Sequence, residues 1–299
     1  MKYLLLLSIL IVITSCKKEA EGHTTEVPTD TTGAEAVALK NKPSEFENLV
    51  ADFAKLREKT VAKLHFLNSE EANLLYGKYE KENNEIIRRL NSIEEKLLEN
   101  YYMVFYDRHG NPAKLHDTLQ FKKDLLRQAG LEFWHVGEGF GEIRPQHDFY
   151  LKIFKDNVTN DYKRFLALQS LDDSELWSAD AGIAITWREL SQRVINWENF
   201  TLEYPHSKLY QTASFNYHMY RLSYLFGQDN TPTYEHNDNK LYPEIAEEYS
   251  RFIRKHPDSP TAKIAQQMLN NSGNIGFESI REQENSEFQK AYNTFYREE

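Results

Sequence analysis

The sequence predicts a mainly α-helical protein built from antiparallel helical hairpins, with one short β-hairpin or loop near residues 131–145. Three observations carry this expectation. Trp187, Leu190, Val194 and Trp197 stand at i, i+3, i+7 and i+10, which lines one face of a helix, and similar stripes recur along the chain. Glycine and proline are sparse, 12 and 9 among 299 residues, while 27% of residues are charged, a composition suited to helices with solvated faces. One phrase also occurs twice: Glu203-Tyr204-Pro205-His206-Ser207 with Ala213 following, and Lys255-His256-Pro257-Asp258-Ser259 with Ala265 following.

The repeated phrase reads as the turn of a helical hairpin. Proline disfavours a helical residue before it and so stops the incoming helix. The serine two residues later can accept a backbone N–H as N-cap of the next helix. The alanine six residues beyond lets the antiparallel partner approach closely. In the second copy Tyr249, Phe252 and Ile253 supply the apolar face before the turn, and Ile264, Met268 and Leu269 supply it afterwards. This Tyr-Pro-x-Ser turn with its trailing alanine resembles the tetratricopeptide-like helical repeats of bacterial envelope proteins. The resemblance implies stacked helical hairpins. The copies lie 52 residues apart (257 − 205), whereas the standard repeat is about 34 long. The polar stretch Gly227–Pro243 accounts for the excess and reads as an inserted loop.

Residues 1–15 read as a signal peptide. Lys2 supplies its positive end, and Tyr3–Ile13 is an apolar run broken only by Ser8, too short to span a bilayer. Ile13-Thr14-Ser15-Cys16 resembles a bacterial lipobox, which implies a lipid on Cys16, the only cysteine. The other reading is an ordinary cleaved secretory signal. No Asp follows Cys16, and by analogy with enteric sorting this implies the outer membrane of a Gram-negative bacterium, without saying which side. Residues 16–43 form the lipidated start and a Thr-, Glu-, Lys- and Ala-rich tether with too few large apolar residues to pack. As a flexible coil it reaches about 30 Å.

The body divides into an N-terminal helical region, 44–130, and a region 131–299 holding the β-hairpin or loop and the repeat-like helices. Ser44 and Glu47 form a capping box that opens a helix to about Leu67. A second helix starts near Ser69 and runs to Tyr79 or beyond. Ile86, Leu90, Ile93, Leu97, Tyr101 and Val104 predict one long helix over about 84–106. Asp107–Pro112 is a break rich in turn residues. A helix from Asp117 or Thr118 ends at Gly130, a favourable C-cap. Helical spacing returns from His147 to Leu168, and a last helix, Phe277–Tyr296, folds back onto the final hairpin. The segment from Gly137 to Ser207 is also similar to uncharacterised secreted bacterial proteins. It shares with them a glycine-rich turn, an Asp-Phe helix start at Asp148-Phe149, an Ala-Asp-Ala-Gly-Ile segment at Ala179–Ile183 and the Tyr-Pro-x-Ser turn; this resemblance carries fold expectations alone.

Leu131–Val136 has strand-like composition and leads into Gly137-Glu138-Gly139-Phe140-Gly141. This glycine spacing, followed by Pro145, does not match a dinucleotide fingerprint. The segment carries the best cluster of chemically able side chains: His135, Glu138, Glu142, Arg144, His147 and Asp148. Histidines and carboxylates bind metals and exchange protons, but the spacing matches no ligand motif, and the groups also suit a polar loop that caps neighbouring helices. Trp187, Tyr210, Tyr217, Tyr220 and Tyr224 form a candidate partner surface, or else the interior of a helix sandwiched between neighbours.

With 36 basic and 46 acidic residues and a net charge of −10, the chain has no basic patch interleaved with aromatics, which argues against nucleic acid. No cofactor motif and no nucleophile arrangement stands out. The expected function is a lipid-anchored, non-enzymatic binding or scaffolding module of the cell envelope with a protein, peptide or glycan partner. The rival is an envelope hydrolase or metal-dependent enzyme using the His135–Asp148 cluster.

Overall fold

In the computed structural model residues 42–298 are described, and among them twelve helices alternate with four two-stranded antiparallel hairpins. The signal segment, Cys16 and the tether up to residue 41 lie outside the described residues. Helix α1 (Glu45–Leu64) starts from the Ser44–Glu47 capping box and buries Phe46, Leu49, Val50 and Phe53. Helix α2 (Ser69–Ile93) starts from a second capping box, Asn68 with Glu71.

The long helix expected over 84–106 is divided differently. Its first half continues α2, and the remainder is broken into α3 (Glu95–Glu99) and α4 (Tyr101–Phe105). The backbone leaves helical geometry at Glu94 and Asn100, with φ of −103° and −110°. Glu94 turns inward to an ion pair with Lys122. The Asn100 side-chain amide donates to the Lys96 carbonyl at 2.8 Å and competes with the helical ladder. These breaks bring Leu98, Tyr101 and Phe105 into the core.

Helix α5 (Asp117–Ala129) ends at Gly130, whose φ of +94° is the left-handed C-cap foreseen in the sequence. Strands β1 (Leu131–Gly137) and β2 (Phe140–Pro145) pair antiparallel from Leu131↔Pro145 to Gly137↔Phe140, with a bulge between His135 and Gly137. Asn91 of α2 stands in for a third strand: its amide donates to the Ile143 carbonyl and accepts the Ile143 N–H, both at 2.8 Å.

The helical stretch expected over 147–168 is two helices, α6 (Phe149–Phe154) and α7 (Asn160–Asp172). Asn73 holds the break between them, accepting the Thr159 N–H at 3.2 Å and donating to Thr159 Oγ1 at 2.8 Å. Two apolar cores meet on α7. Tyr162 and Leu166 belong to the first, with Phe53, Tyr79, Phe149 and Phe154. Phe165 and Leu168 belong to the second, with Trp197, Tyr224, Tyr249 and Phe252.

A small hairpin, β3 (Ser178–Ala179) and β4 (Gly182–Ile183), leads into α8 (Trp187–Glu203) and α9 (Tyr210–Phe226). The expected inserted loop contains two hairpins, β5 (Gly227–Gln228) with β6 (Thr231–Pro232), and β7 (Tyr234–Glu235) with β8 (Lys240–Leu241). It is not wholly solvated, because Thr233, Tyr234 and Leu241 are buried. Then come α10 (Pro243–Lys255), α11 (Pro260–Asn270) and α12 (Gly276–Glu298).

Both repeat alanines, Ala213 and Ala265, are completely buried. Ser259 caps α11 by accepting the Ala262 N–H at 3.1 Å. Ser207 does not cap α9, which begins three residues later. Its hydroxyl accepts the Leu209 N–H and donates to Asp161 of α7 at 2.5 Å. Helix α12 lies along α9: its Glu284 pairs with Arg221 and its Phe295 stacks on Phe215 with ring centres 4.9 Å apart.

Candidate functional site

A polar cleft of about 310 Å³ lies where the two cores meet. Helix α2 contributes Tyr76 and Glu80, β2 contributes Glu142 and Arg144, and α7 contributes Gln169, with Asp173 as the cap at its C-terminal end. His147, Tyr150, Phe165 and Thr212 are also in the wall. Each group is aimed by its element's period. Tyr76 and Glu80 are four residues apart on one face of α2, and the Tyr76 hydroxyl donates to Glu80 Oε1 at 2.8 Å. Gln169 and Asp173 are likewise four apart, with the Gln169 amide donating to Asp173 Oδ1 at 3.1 Å.

Three carboxyls in this cleft are displaced upward. Burial raises Glu80, against the lowering effect of the Tyr76 hydrogen bond. Burial also raises Glu142, and the attraction of Arg144 offsets only part of that. For Asp173 burial again dominates over Gln169 and Arg144. Arg144 is committed elsewhere: it pairs with Glu132 at 3.0 Å, donates to the Asp173 carbonyl at 2.7 Å and lies 3.5 Å over the Trp134 ring. Among the described residues the Glu142 carboxylate takes part in no ion pair, so its acceptor capacity faces the cleft unspent.

The six clustered candidates from the sequence do not form one centre. Glu142, Arg144 and His147 line the cleft. His135 and Glu138 line a separate trough with Tyr102 and Met103. Asp148 makes a surface ion pair with Lys152 at 2.7 Å. Strand alternation puts His135 on the opposite face of the hairpin from Glu142 and Arg144, while Glu138 sits in the turn between the strands and Asp148 at the start of α6. Among the described residues no three His, Cys, Asp or Glu side chains converge as a cation site.

The aromatic candidates divide as well. Tyr217, Tyr220 and Tyr224 are buried, so they present no surface to a partner, while Trp187 and Tyr210 remain half-buried. Tyr217 donates to Glu198 at 2.9 Å, and Glu198 also accepts the Thr261 N–H at 3.0 Å, closing the start of α11 from inside. Tyr220 lies against Arg193, which pairs with Asp172 at 3.7 Å.

Sequence reasoning missed Tyr76, Glu80, Gln169 and Asp173. A signal was present in Glu80, a carboxylate on the same face of α2 as Tyr76. Chemically the cleft offers carboxyls and amides for hydrogen bonding a small polar ligand beside the rings of Tyr76, Tyr150 and Phe165. No family model, curated protein or solved structure matches this chain. Among the described residues no helix is long and apolar enough to cross a membrane.

Proposed function

We propose that this chain is a lipid-anchored binding module of the cell envelope, held by lipid on Cys16, with the α2–β2–α7 cleft as its ligand site. The observation that carries the binding assignment is the cleft itself. It gathers Glu142, with no ion pair among the described residues, and two further half-buried carboxyls at the junction of two rigid cores. Unspent polar groups on rigid elements suit capture of a polar ligand such as a glycan or peptide. The lipid anchor is supported by the signal core ending at the lone cysteine, and stable anchoring needs more than one chain.

The test has two arms. Metabolic labelling with an alkyne fatty acid in a Gram-negative host should mark the wild-type chain and leave Cys16→Ser unmarked; equal labelling of both discards the anchor. Screening the full chain on glycan and peptide arrays should give a ligand whose binding drops at least tenfold in Glu142→Ala and Asp173→Ala. Binding that survives both substitutions places the ligand elsewhere and ends the cleft assignment.

A second reading, hydrolysis in the same cleft, draws support from the raised carboxyls, because an acid that stays protonated nearer neutrality can serve as a proton donor. Glu142→Gln separates the two: it retains ligand in both cases, but stops product formation only where the cleft is catalytic.

A further inference from the structure

A second surface, sharing no lining residue with the cleft, has a different character. Two shallow troughs of about 470 and 450 Å³ flank His135 on the outer side of α4 and β1. The first is apolar at its centre: Met103 is 74% exposed and Tyr102 is 43% exposed. The hairpin tip beside it exposes Val136 and Phe140 as well, and the tip is fixed to α4 by the Tyr102 N–H donating to the Gly139 carbonyl at 3.0 Å. Large apolar side chains gathered in water at a rigid hairpin tip mark an interaction site rather than scattered surface.

Among the described residues, the acidic side chains that line the troughs meet no lysine or arginine in the lining. Glu99 and Glu138 line the first trough, and Glu132 and Glu175 line the second. Only Glu132 is neutralised, by Arg144; Glu99, Glu138 and Glu175 hold no ion pair among the described residues. Among the described residues no lysine or arginine lines either trough, although Lys96 and Arg108 are close in sequence. His135 lines both troughs, its ring stacked on Tyr101 at 5.7 Å and its Nε2 buried without a hydrogen-bond partner among the described residues.

We infer that this face docks a protein segment carrying a large apolar anchor flanked by lysine or arginine. The anchor seats against Met103 and Tyr102, and the flanking cations face Glu99, Glu138 and Glu175. Complementary charge of this kind fixes orientation and speeds association, while the buried anchor supplies most of the affinity. The inference does not depend on the cleft or on its ligand.

The experiment titrates the full chain into three fluorescein-labelled decapeptides: one alternating lysine and phenylalanine, one alternating glutamate and phenylalanine, and one alternating lysine and serine. The expected result is saturable binding of the lysine–phenylalanine peptide alone. Affinity should fall at least tenfold in Glu99→Lys/Glu138→Lys and, separately, in Met103→Ser, and stay unchanged in a control reversal elsewhere, Glu58→Lys/Glu244→Lys. These exposed positions leave the cores intact, which circular dichroism checks. Equal binding of the lysine–serine peptide, equal binding of the glutamate–phenylalanine peptide, the same loss in the control reversal, or no binding overturns the inference. Preferential capture of phospholipid vesicles over all three peptides overturns it too, because it makes the patch a membrane contact.

Discussion

Two residues bear more structure than their chemistry suggests. Asn91 closes the edge of β2 with a pair of hydrogen bonds to one residue, Ile143. Asn91→Ala leaves that backbone N–H and carbonyl of buried Ile143 without their partner, which costs about 1–3 kcal/mol; urea denaturation should show this as a lower midpoint with an unchanged slope. Gly141 is the second case. A Cβ there would run into the Tyr101 ring, and Tyr101 is wedged between Phe105, at 4.4 Å between ring centres, and His135. Gly141→Ala must therefore push a packed ring aside, a strain of about 1–3 kcal/mol. Thermal unfolding should report it, and Gly77→Ala, where no atom of the described residues lies within 4 Å of the added carbon, should be neutral or stabilising.

At the scale of elements, the two copies of the repeated phrase have diverged in function. Ser259 is a true N-cap, so Ser259→Ala should cost about 1 kcal/mol through the start of α11. Ser207 ties the α8–α9 turn to Asp161, and its loss should act through α7; hydrogen exchange should rise near Asn160–Tyr162 rather than at Tyr210. The sequence made the hairpins legible because their signals are local: Pro205, Pro257, the two buried alanines, the Ser44 capping box and Gly130. It hid the breaks at Glu94 and Asn100, because the apolar steps of three and four residues run straight across both while the causes lie in Lys122 and in a side-chain bond of Asn100. The cleft was half legible. Glu142 and His147 stood out in a short polar run, but their partners arrive from elsewhere in the chain, Glu80 from α2 and Asp173 from the end of α7, and only packing brings them together.

At the scale of the whole molecule, the buried charges set a pH response. Burial pushes Asp172 up to about 6 despite Arg193 and the Trp197 N–H, which donates to it at 2.6 Å. A carboxyl raised in the folded state favours folding while protonated. Its contribution is full below the unfolded value near 3.8 and is lost as pH climbs through about 6. His218 works the other way: burial lowers it to about 4, so its contribution is full above 6.5 and fades as pH falls towards 4. The clean readout is thus a difference. The stability of wild type minus that of Asp172→Asn should decline by about 2–3 kcal/mol from pH 4 to pH 7, and a difference that stays flat refutes the buried position of this carboxyl. The small hairpins also act across the molecule. Ser178 Oγ donates to Gln228 Oε1 at 2.8 Å, the Ile183 N–H to Thr231 Oγ1 at 2.9 Å, and the Asn230 N–H to the Ala181 carbonyl at 2.9 Å. These bonds clasp the two ends of the α8–α9 pair together, while Pro205 and His206 at its far turn stay exposed. The chain can therefore be cut at that turn without freeing either helix, which makes Pro205–His206 the natural seam for a split reporter: two separately made fragments should find each other through the clasp and reconstitute the body.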